Sequence, residues 1–318
     1  MIKIEQGLFG GRFLMNVAET IKSNTRDHLN QGGLLYGQCV SAVGWIGGTV
    51  PEMTEDEGIV ELPTSDCSNS AIVCGSAIAG RRPIYAIRYQ GFMSYNAASL
   101  LNYAAKSKEM WDQPCPVFVR AIGMEGSIGP VASGMHHSMA MRMPGTVVAS
   151  PMTPNEWQSV WDFFLENDDP VYCSEHRKSF KIDYELDDFL IPNTFNMDST
   201  YSPNSKVTIF AIGAARLEVV KLREILKESF NSINLLWLKP LKIPAHGLDA
   251  LRKSDFGIVV DSDHQICGAS EHIANQLMLQ TGKPVHALGL GDRTAGFASH
   301  CDNVTPTTTE ICEFIKSL

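Results

Sequence analysis

Residues 59–106 read IVELPTSDCSNSAIVCGSAIAGRRPIYAIRYQGFMSYNAASLLNYAAK. A short β-rich run, 59–62, ends at Pro63, and an acid, Asp66, follows at once. Small residues then recur at helical spacing: Ala71, Cys74, Gly75, Ala77 and Ile78. Gly80 stops that helix, and Arg81-Arg82-Pro83 turns the chain into a second apolar run, 84–89. A helix rich in Ala and Leu comes next, with Asn102 and Lys106 in its last turns. The stretch is strand, helix, strand, helix, with an acid beyond the first strand and an aromatic at the end of the second. In parallel α/β sheets, sites collect at such strand ends.

Moving outward, residues 33–37 (GLLYG) read as a short buried strand that ends at Gln38 and Cys39. The Gly-rich residues 44–48 behind it serve either a backbone approach to a ligand or a plain turn. Before them, Phe13, Val17, Ile21 and Leu29 mark an amphipathic helix. Residues 54–57 (TEDE) are a solvated charge run. On the other side, 116–122 (PVFVRAI) is a third buried strand. It opens into 123–138, GMEGSIGPVASGMHHS. Gly123, Gly126, Gly129 and Gly134 cannot all serve one regular element, so this is read as a long flexible loop ending in His136-His137. A tandem histidine pair at a strand end is as readily functional as structural. Residues 146–150 form a strand. Thr153 and Pro154 cap and start a helix whose Trp157, Val160, Trp161, Phe164 and Leu165 recur at core-packing spacing. Residues 171–174 are the last strand of the first half.

Residues 183–205 change character, with acids, Pro192, Asn193, Asn196, Pro203 and Asn204, and read as an interdomain linker. Beyond it, strands at 206–212, 231–238, 256–260 and 284–290 alternate with helices at 216–229, 245–253, 271–279 and 308–318. Such alternation implies a second, mostly parallel sheet. The fold class is therefore α/β, with two parallel-sheet domains: 1–185, a linker at 186–205, and 206–318.

The 318 residues are 44% hydrophobic and 19% charged, enough for two cores. Twenty-six basic against 35 acidic residues give a net charge of −9, which argues against nucleic acid or a membrane surface as partner. The eight cysteines form no CxxC pair, so reduced thiols in a cytoplasmic protein are expected and a zinc site is not. No apolar run is long enough for a signal core or a membrane span.

The order Pro63, Asp66, Gly75, Gly80-Arg81-Arg82-Pro83, Tyr89, Phe92 and Asn102-Tyr103-Ala104-Ala105-Lys106 resembles the pyrimidine-binding domain of thiamine diphosphate enzymes. The nearest likeness is the β subunit of two-component 2-oxoacid (pyruvate-type) dehydrogenases, with transketolase and deoxyxylulose-phosphate synthase further off. The second half resembles the transketolase C-terminal domain. The resemblance implies that Asp66 stands where the family has a Glu that holds the cofactor's aminopyrimidine. It places Tyr89 against that ring with Phe92 nearby, Gln38 where the family has an active-site Glu, and His136 and His137 toward the reacting centre. Read from the residues alone, Asp66 is a helix N-cap, and core packing is the favoured reading of Tyr89 and Phe92. His137, on a loop with little packing, is expected to be replaceable by Ala within about 0.5 kcal/mol of stability. Asp is shorter than Glu, so the resemblance further implies a closer backbone approach at Asp66.

No Gly-Asp-Gly motif occurs in the sequence. The resemblance then implies that the diphosphate and Mg²⁺ are held mainly by a partner α subunit, in an α2β2 heterotetramer. The substrate is a 2-oxo acid or ketose and the chemistry acyl or two-carbon transfer, with a lipoyl carrier as one acceptor. Transketolase-like ketol transfer and biosynthetic carboligation stay open. So does a non-catalytic assembly or regulatory subunit.

Overall fold

In this computed structural model the described residues are 15–41, 46–126, 128–182, 205–226 and 230–318. Helix α1 (Val17–Asn30) starts at a reciprocal capping box: the Asn16 side chain accepts from Glu19 N at 2.9 Å, and the Glu19 carboxylate accepts from Asn16 N at 3.0 Å. Its buried face is Val17, Thr20, Ile21, Thr25 and Leu29. Phe13, expected on the same face, lies outside the described residues, as do Gly44 and Trp45. Ile46–Gly48 is a single 3₁₀ turn.

The first sheet is built from β1 (Leu35–Gly37), β2 (Ile59–Glu61), β3 (Ile84–Ile87), β4 (Phe118–Gly123), β5 (Val147–Ala149) and β6 (Val171–His176), in spatial order β2-β1-β3-β4-β6-β5. These strands pair in parallel. Between them run α2 (Asp66–Ile78), α3 (Met93–Ser99), α4 (Ser107–Trp111), α5 (His137–Met141) and α6 (Pro154–Glu166). Alternate strand residues serve opposite faces. Leu35, Ile84, Ala86 and Phe118 join the core under α1 and α6, whereas Tyr36, Tyr85, Ile87 and Val119 join the core under α2 and α3.

Thr153 accepts from Glu156 N at 3.1 Å and Pro154 is the first helical residue of α6, as its sequence signals. Trp157, Trp161 and Phe164 are buried around Phe118, with ring centroids 5.1–5.7 Å from it. Each such side chain contributes roughly 1.5–3 kcal/mol of burial, so the aromatic spacing here is core, as read, whereas Leu165, expected on the same face, is exposed.

The second sheet contains β7 (Val207–Ile212), then after α7 (Ala215–Leu226) the strand β8 (Phe230–Leu235). The run expected as one strand over 231–238 breaks at Leu236. The next strand, β9 (Trp237–Lys239), leaves to join the first sheet as its seventh strand, antiparallel to β5. The break follows burial: Leu236 packs into the core beneath α1 and α6, while Leu235 and Leu238 belong to the other core. Helix α8 (Ala245–Lys253), β10 (Phe256–His264), α9 (Ala269–Thr281), β11 (Val285–Leu290) and α10 (Thr308–Ser317) complete the unit, in strand order β11-β10-β7-β8, all parallel. The molecule thus has two α/β sheets, and residues well beyond 206 complete the first. The proposed linker lies outside the described residues apart from Ser205.

Two local expectations change. The single helix expected up to Lys106 is α3 followed by a π turn over Leu100–Ala104, closed by Ala105 N donating to Leu100 O at 2.8 Å. The glycine-rich loop after β4 is anchored. Met124 bridges Gly134, Met135 bridges Asp263, and Gly129 N donates to Gly296 O at 3.0 Å. Among the described residues no helix is long and apolar enough to cross a membrane, and all eight cysteines are free thiols.

Candidate active site at the first sheet's carboxyl edge

Register fixes which residues share the edge. Gly37 lies beside Glu61 and Ala86, Ile87 beside Ala121, and Gly123 beside His176. The residues just beyond β1 and β3 are therefore neighbours: Gln38 and Cys39 on one side, Arg88 and Tyr89 on the other. The chain leaves β1 toward β2 and leaves β3 toward β4, in opposite directions. The crevice between them is a topological switch point, where ligands of open α/β sheets bind.

Glu61 shapes one wall. Its carboxylate accepts from the backbone N–H groups of Cys39, of Val40 at 2.9 Å and of Ser41 at 2.9 Å, and from Ser41 Oγ at 2.9 Å. Partial burial raises its pKa, but the N–H donors of Ser41, Cys39 and Val40 and the Ser41 hydroxyl outweigh it. The carboxyl is held below the ordinary Glu range. Cys39, at φ 57°, places its thiol 3.4 Å from the Arg88 guanidinium, and Arg88 lies over the Tyr89 ring at 5.3 Å. Gln38, half-buried, sits at the tip of β1 beside this group.

Asp66 is the first residue of α2, and Ser65 before it is the N-cap, so Asp66 does not cap the helix. Its Oδ1 accepts from Asn96 Nδ2 at 3.0 Å. The same amide donates to Phe92 O at 3.0 Å and accepts from Tyr85 Oη at 2.6 Å. One buried amide thus ties the acid to the turn that carries the aromatics. The Tyr85 phenol is pushed up by burial and by the nearby Asp66 carboxylate. Tyr89 and Phe92, both half-buried, stand 6.0 Å apart between ring centroids with planes tilted by 40°. Phe92 packs against the core under α2 and α3, in part as the core reading expects, and Tyr89 lies beside it.

The histidine pair splits. His136, half-buried, has its backbone N–H held by Gln90 Oε1 at 2.7 Å, and its ring stacks on His264 of β10 at 6.0 Å. Burial lowers its pKa; Asp263 partly opposes this, while His264 and His137 add to it. His137, by contrast, is fully buried, with Nε2 3.0 Å from Asp261 Oδ2 and Nδ1 3.3 Å from Ser174 Oγ. Burial alone lowers its pKa, but Asp261 and Asp263 outweigh it and lift the value to about 9. The expectation that little packing holds His137 is corrected: partners from two sheets enclose it.

Residues 54–182 match the family described as transketolase, pyrimidine binding domain. The match covers less than half of the chain, and over it the chain is similar to that family. It is 24% identical over 157 residues to the 2-oxoisovalerate dehydrogenase subunit beta of Bacillus subtilis, a match spanning 44% of this chain and 45% of that one. The acetoin:2,6-dichlorophenolindophenol oxidoreductase subunit beta of Cupriavidus necator is 24% identical over 257 residues, 78% of this chain and 72% of the other. A pyruvate dehydrogenase E1 component subunit beta of Staphylococcus epidermidis is 21% identical across 95% of this chain and 98% of its own. Among solved structures, a split gene transketolase captured as an inactive beta4 tetramer superposes with a TM-score of 0.65 at 14% identity, covering 88% of this chain and 90% of that one.

Around this edge, sequence reading missed four residues. Asn96 and Gln90 lie inside the quoted stretch but look like ordinary helix and turn polars. Only their burial, at 0% and 1% exposure, singles them out. Gln90 donates to Ala121 O at 3.0 Å and Ser174 Oγ at 2.9 Å, so it clamps the aromatic turn to β4 and β6 while holding His136. Glu61 ends a strand with no motif around it, and His264 comes from the other sheet. The residues fit an aminopyrimidine: Asp66 offers a carboxylate oxygen, Oδ2, with no hydrogen bond to the described residues, and is tied through Asn96 to the turn that carries the two tilted rings.

Proposed function

We propose that this chain is the pyrimidine-side β subunit of a two-component thiamine diphosphate enzyme that acts on a 2-oxo acid or ketose and transfers an acyl or two-carbon fragment. The observation that carries the reading is Asp66, half-buried at the start of α2 and tied through Asn96 to the Phe92 turn at the switch point. When bound, thiamine diphosphate supplies a nucleophilic carbon and an electron sink for breaking a bond beside a carbonyl. Asp66 Oδ2 would hold a proton against a pyrimidine nitrogen, and Tyr89 with Phe92 would stack on the ring. Gln38 would close the edge beside them. His136, its pKa lowered by burial, would present a neutral imidazole able to accept a proton near neutral pH. His137 would reach the chemistry only through its neighbours, since it is enclosed.

The sequence has no Gly-Asp-Gly motif. The diphosphate and Mg²⁺ are therefore assigned to an α partner, and self-association through the second half would give α2β2. A lipoyl carrier is the acceptor if the reaction is oxidative; ketol transfer or carboligation would need none. The departures at Gln38 and Asp66 support a competing reading, a non-catalytic assembly subunit.

The test is to combine the chain with its diphosphate-binding partner, thiamine diphosphate and Mg²⁺, and to scan 2-oxo acids and ketose phosphates. Turnover is expected from the mixture and nearly none with Asp66→Asn, because an amide cannot exchange the proton. Absence of cofactor binding by the mixture supports the non-catalytic subunit. Full turnover by Asp66→Asn removes the carboxylate from the chemistry.

A further inference from the structure

We propose that Asn96 is a positioning residue: backed by Tyr85, it fixes the Asp66 carboxylate so that a single oxygen, Oδ2, faces the ligand. This rests on the reading of Asp66 given above. Asn96 sits in the first turn of α3, fully buried. Both of its amide hydrogens are spent, one on Asp66 Oδ1 and one on Phe92 O, each at 3.0 Å. Its oxygen accepts the Tyr85 hydroxyl at 2.6 Å. A flipped amide would set its oxygen against two acceptors and its NH₂ against an O–H donor, so the orientation is over-determined. Tyr85 is a buried residue of β3, and its ring is held by the sheet.

The aim of the acid is therefore inherited from the sheet through two rigid hydrogen bonds, and not from its own helix, where no cap bond restrains it. This matters more for Asp than for a longer acid. With one side-chain torsion fewer, Asp66 has less reach with which to correct a backbone error by changing rotamer. A displacement of ~1 Å of a catalytic group can cost about 100-fold in rate. The same amide also fixes the Phe92 carbonyl, so acid and aromatic turn move as one body.

Two kinds of measurement test this. The first needs no cofactor: a double-mutant cycle of Asp66→Ala and Asn96→Ala, read as urea unfolding of the full chain. Non-additivity is expected, with the double variant losing less than the sum of the singles; strict additivity overturns the contact. The second uses the complex. Asn96→Leu should lower kcat by about tenfold to 100-fold with substrate KM unchanged, because the carboxylate is present but unaimed. If Asn96→Leu does not fold, Tyr85→Phe carries the test, since it removes only a hydroxyl; about a threefold to tenfold fall in kcat is expected by loss of one hydrogen bond to the amide. Should Asp66→Asn abolish turnover while Asn96→Leu and Tyr85→Phe keep kcat within twofold, the positioning role is wrong and the functional reading survives. If Asp66→Asn itself keeps turnover, both fall together.

Discussion

His137 and Asp261 are 124 positions apart in the chain and 3.0 Å apart in space. That separation is why the histidine was misread. A glycine-rich loop predicts an exposed ring, and nothing near position 137 announces a carboxylate from another sheet. That Asp66, Tyr89, Phe92 and His136 follow strand ends was legible, because β2, β3 and β4 run in order along the chain. The buried pair makes stability depend on pH. The folded value of His137, about 9, lies above the ordinary 6.5. Its contribution is thus complete below pH ~6.5 and is lost as pH rises through about 9, on the order of 3 kcal/mol in all. The groups facing the ring are Asp261, Asp263, Ser174 and the adjoining His136, with Tyr172 near Asp263. His176 acts oppositely. Burial lowers it to about 4, so its share is present above pH ~6.5 and lost on acidification toward 4. Urea midpoints measured from pH 6 to 10 should fall for the wild type and flatten for Asp261→Asn. An unchanged slope in the variant would locate the titration elsewhere. His137→Ala should cost about 3 kcal/mol, since it leaves Asp261 buried without its partner.

At the scale of elements, periodicity and turn residues exposed most helices and strands, with ends shifted by a few residues. The α6 cap and the glycine stop after α2 were legible because their causes are local. The π turn and the departure of β9 were not, because each answers to packing from a distant segment. Gly145 shows the same dependence. It precedes β5 at φ 76°, and a Cβ there would lie 2.1 Å from the Ala105 carbonyl oxygen, just past the π turn. The neighbour is backbone and cannot swing aside. Gly145→Ala is therefore expected to cost about 2 kcal/mol or more, combining left-handed strain with the clash. Gly282→Ala is the control, with φ 71° but nothing within 4 Å, and should lose only the strain, about 1 kcal/mol. Equal losses in chemical denaturation would mean that the close approach at Gly145 has no energetic consequence.

For the whole molecule, the alternation of strands and helices revealed two sheets but not how they are joined. The seam is polar. Ser138 N donates to Asp263 at 2.9 Å, Ser138 Oγ accepts from Ala269 N at 2.9 Å, and Ser150 N donates to Leu236 O at 2.8 Å. At its centre, Glu156 of α6 meets Arg216 of α7 at 2.6 Å, both fully buried. Glu156 Oε2 also accepts from Met152 N at 2.9 Å, yet Glu156 Oε1 and Arg216 Nε and Nη2 have no hydrogen-bond partner. A buried pair so incompletely satisfied recovers little of its desolvation cost, whereas removing one member strands the other charge. Glu156→Gln keeps an acceptor for Met152 and should still cost about 3–5 kcal/mol, because Arg216 stays charged in the seam. Arg216→Met should cost a similar amount. The double variant Glu156→Gln/Arg216→Met should recover most of that loss and could exceed wild-type stability, as replacement of buried ion pairs by apolar side chains often does by roughly 1–4 kcal/mol. Unfolding midpoints of the four proteins settle the matter. Single-variant losses below about 1 kcal/mol would show that the two sheets are joined by their apolar contacts and not through this pair.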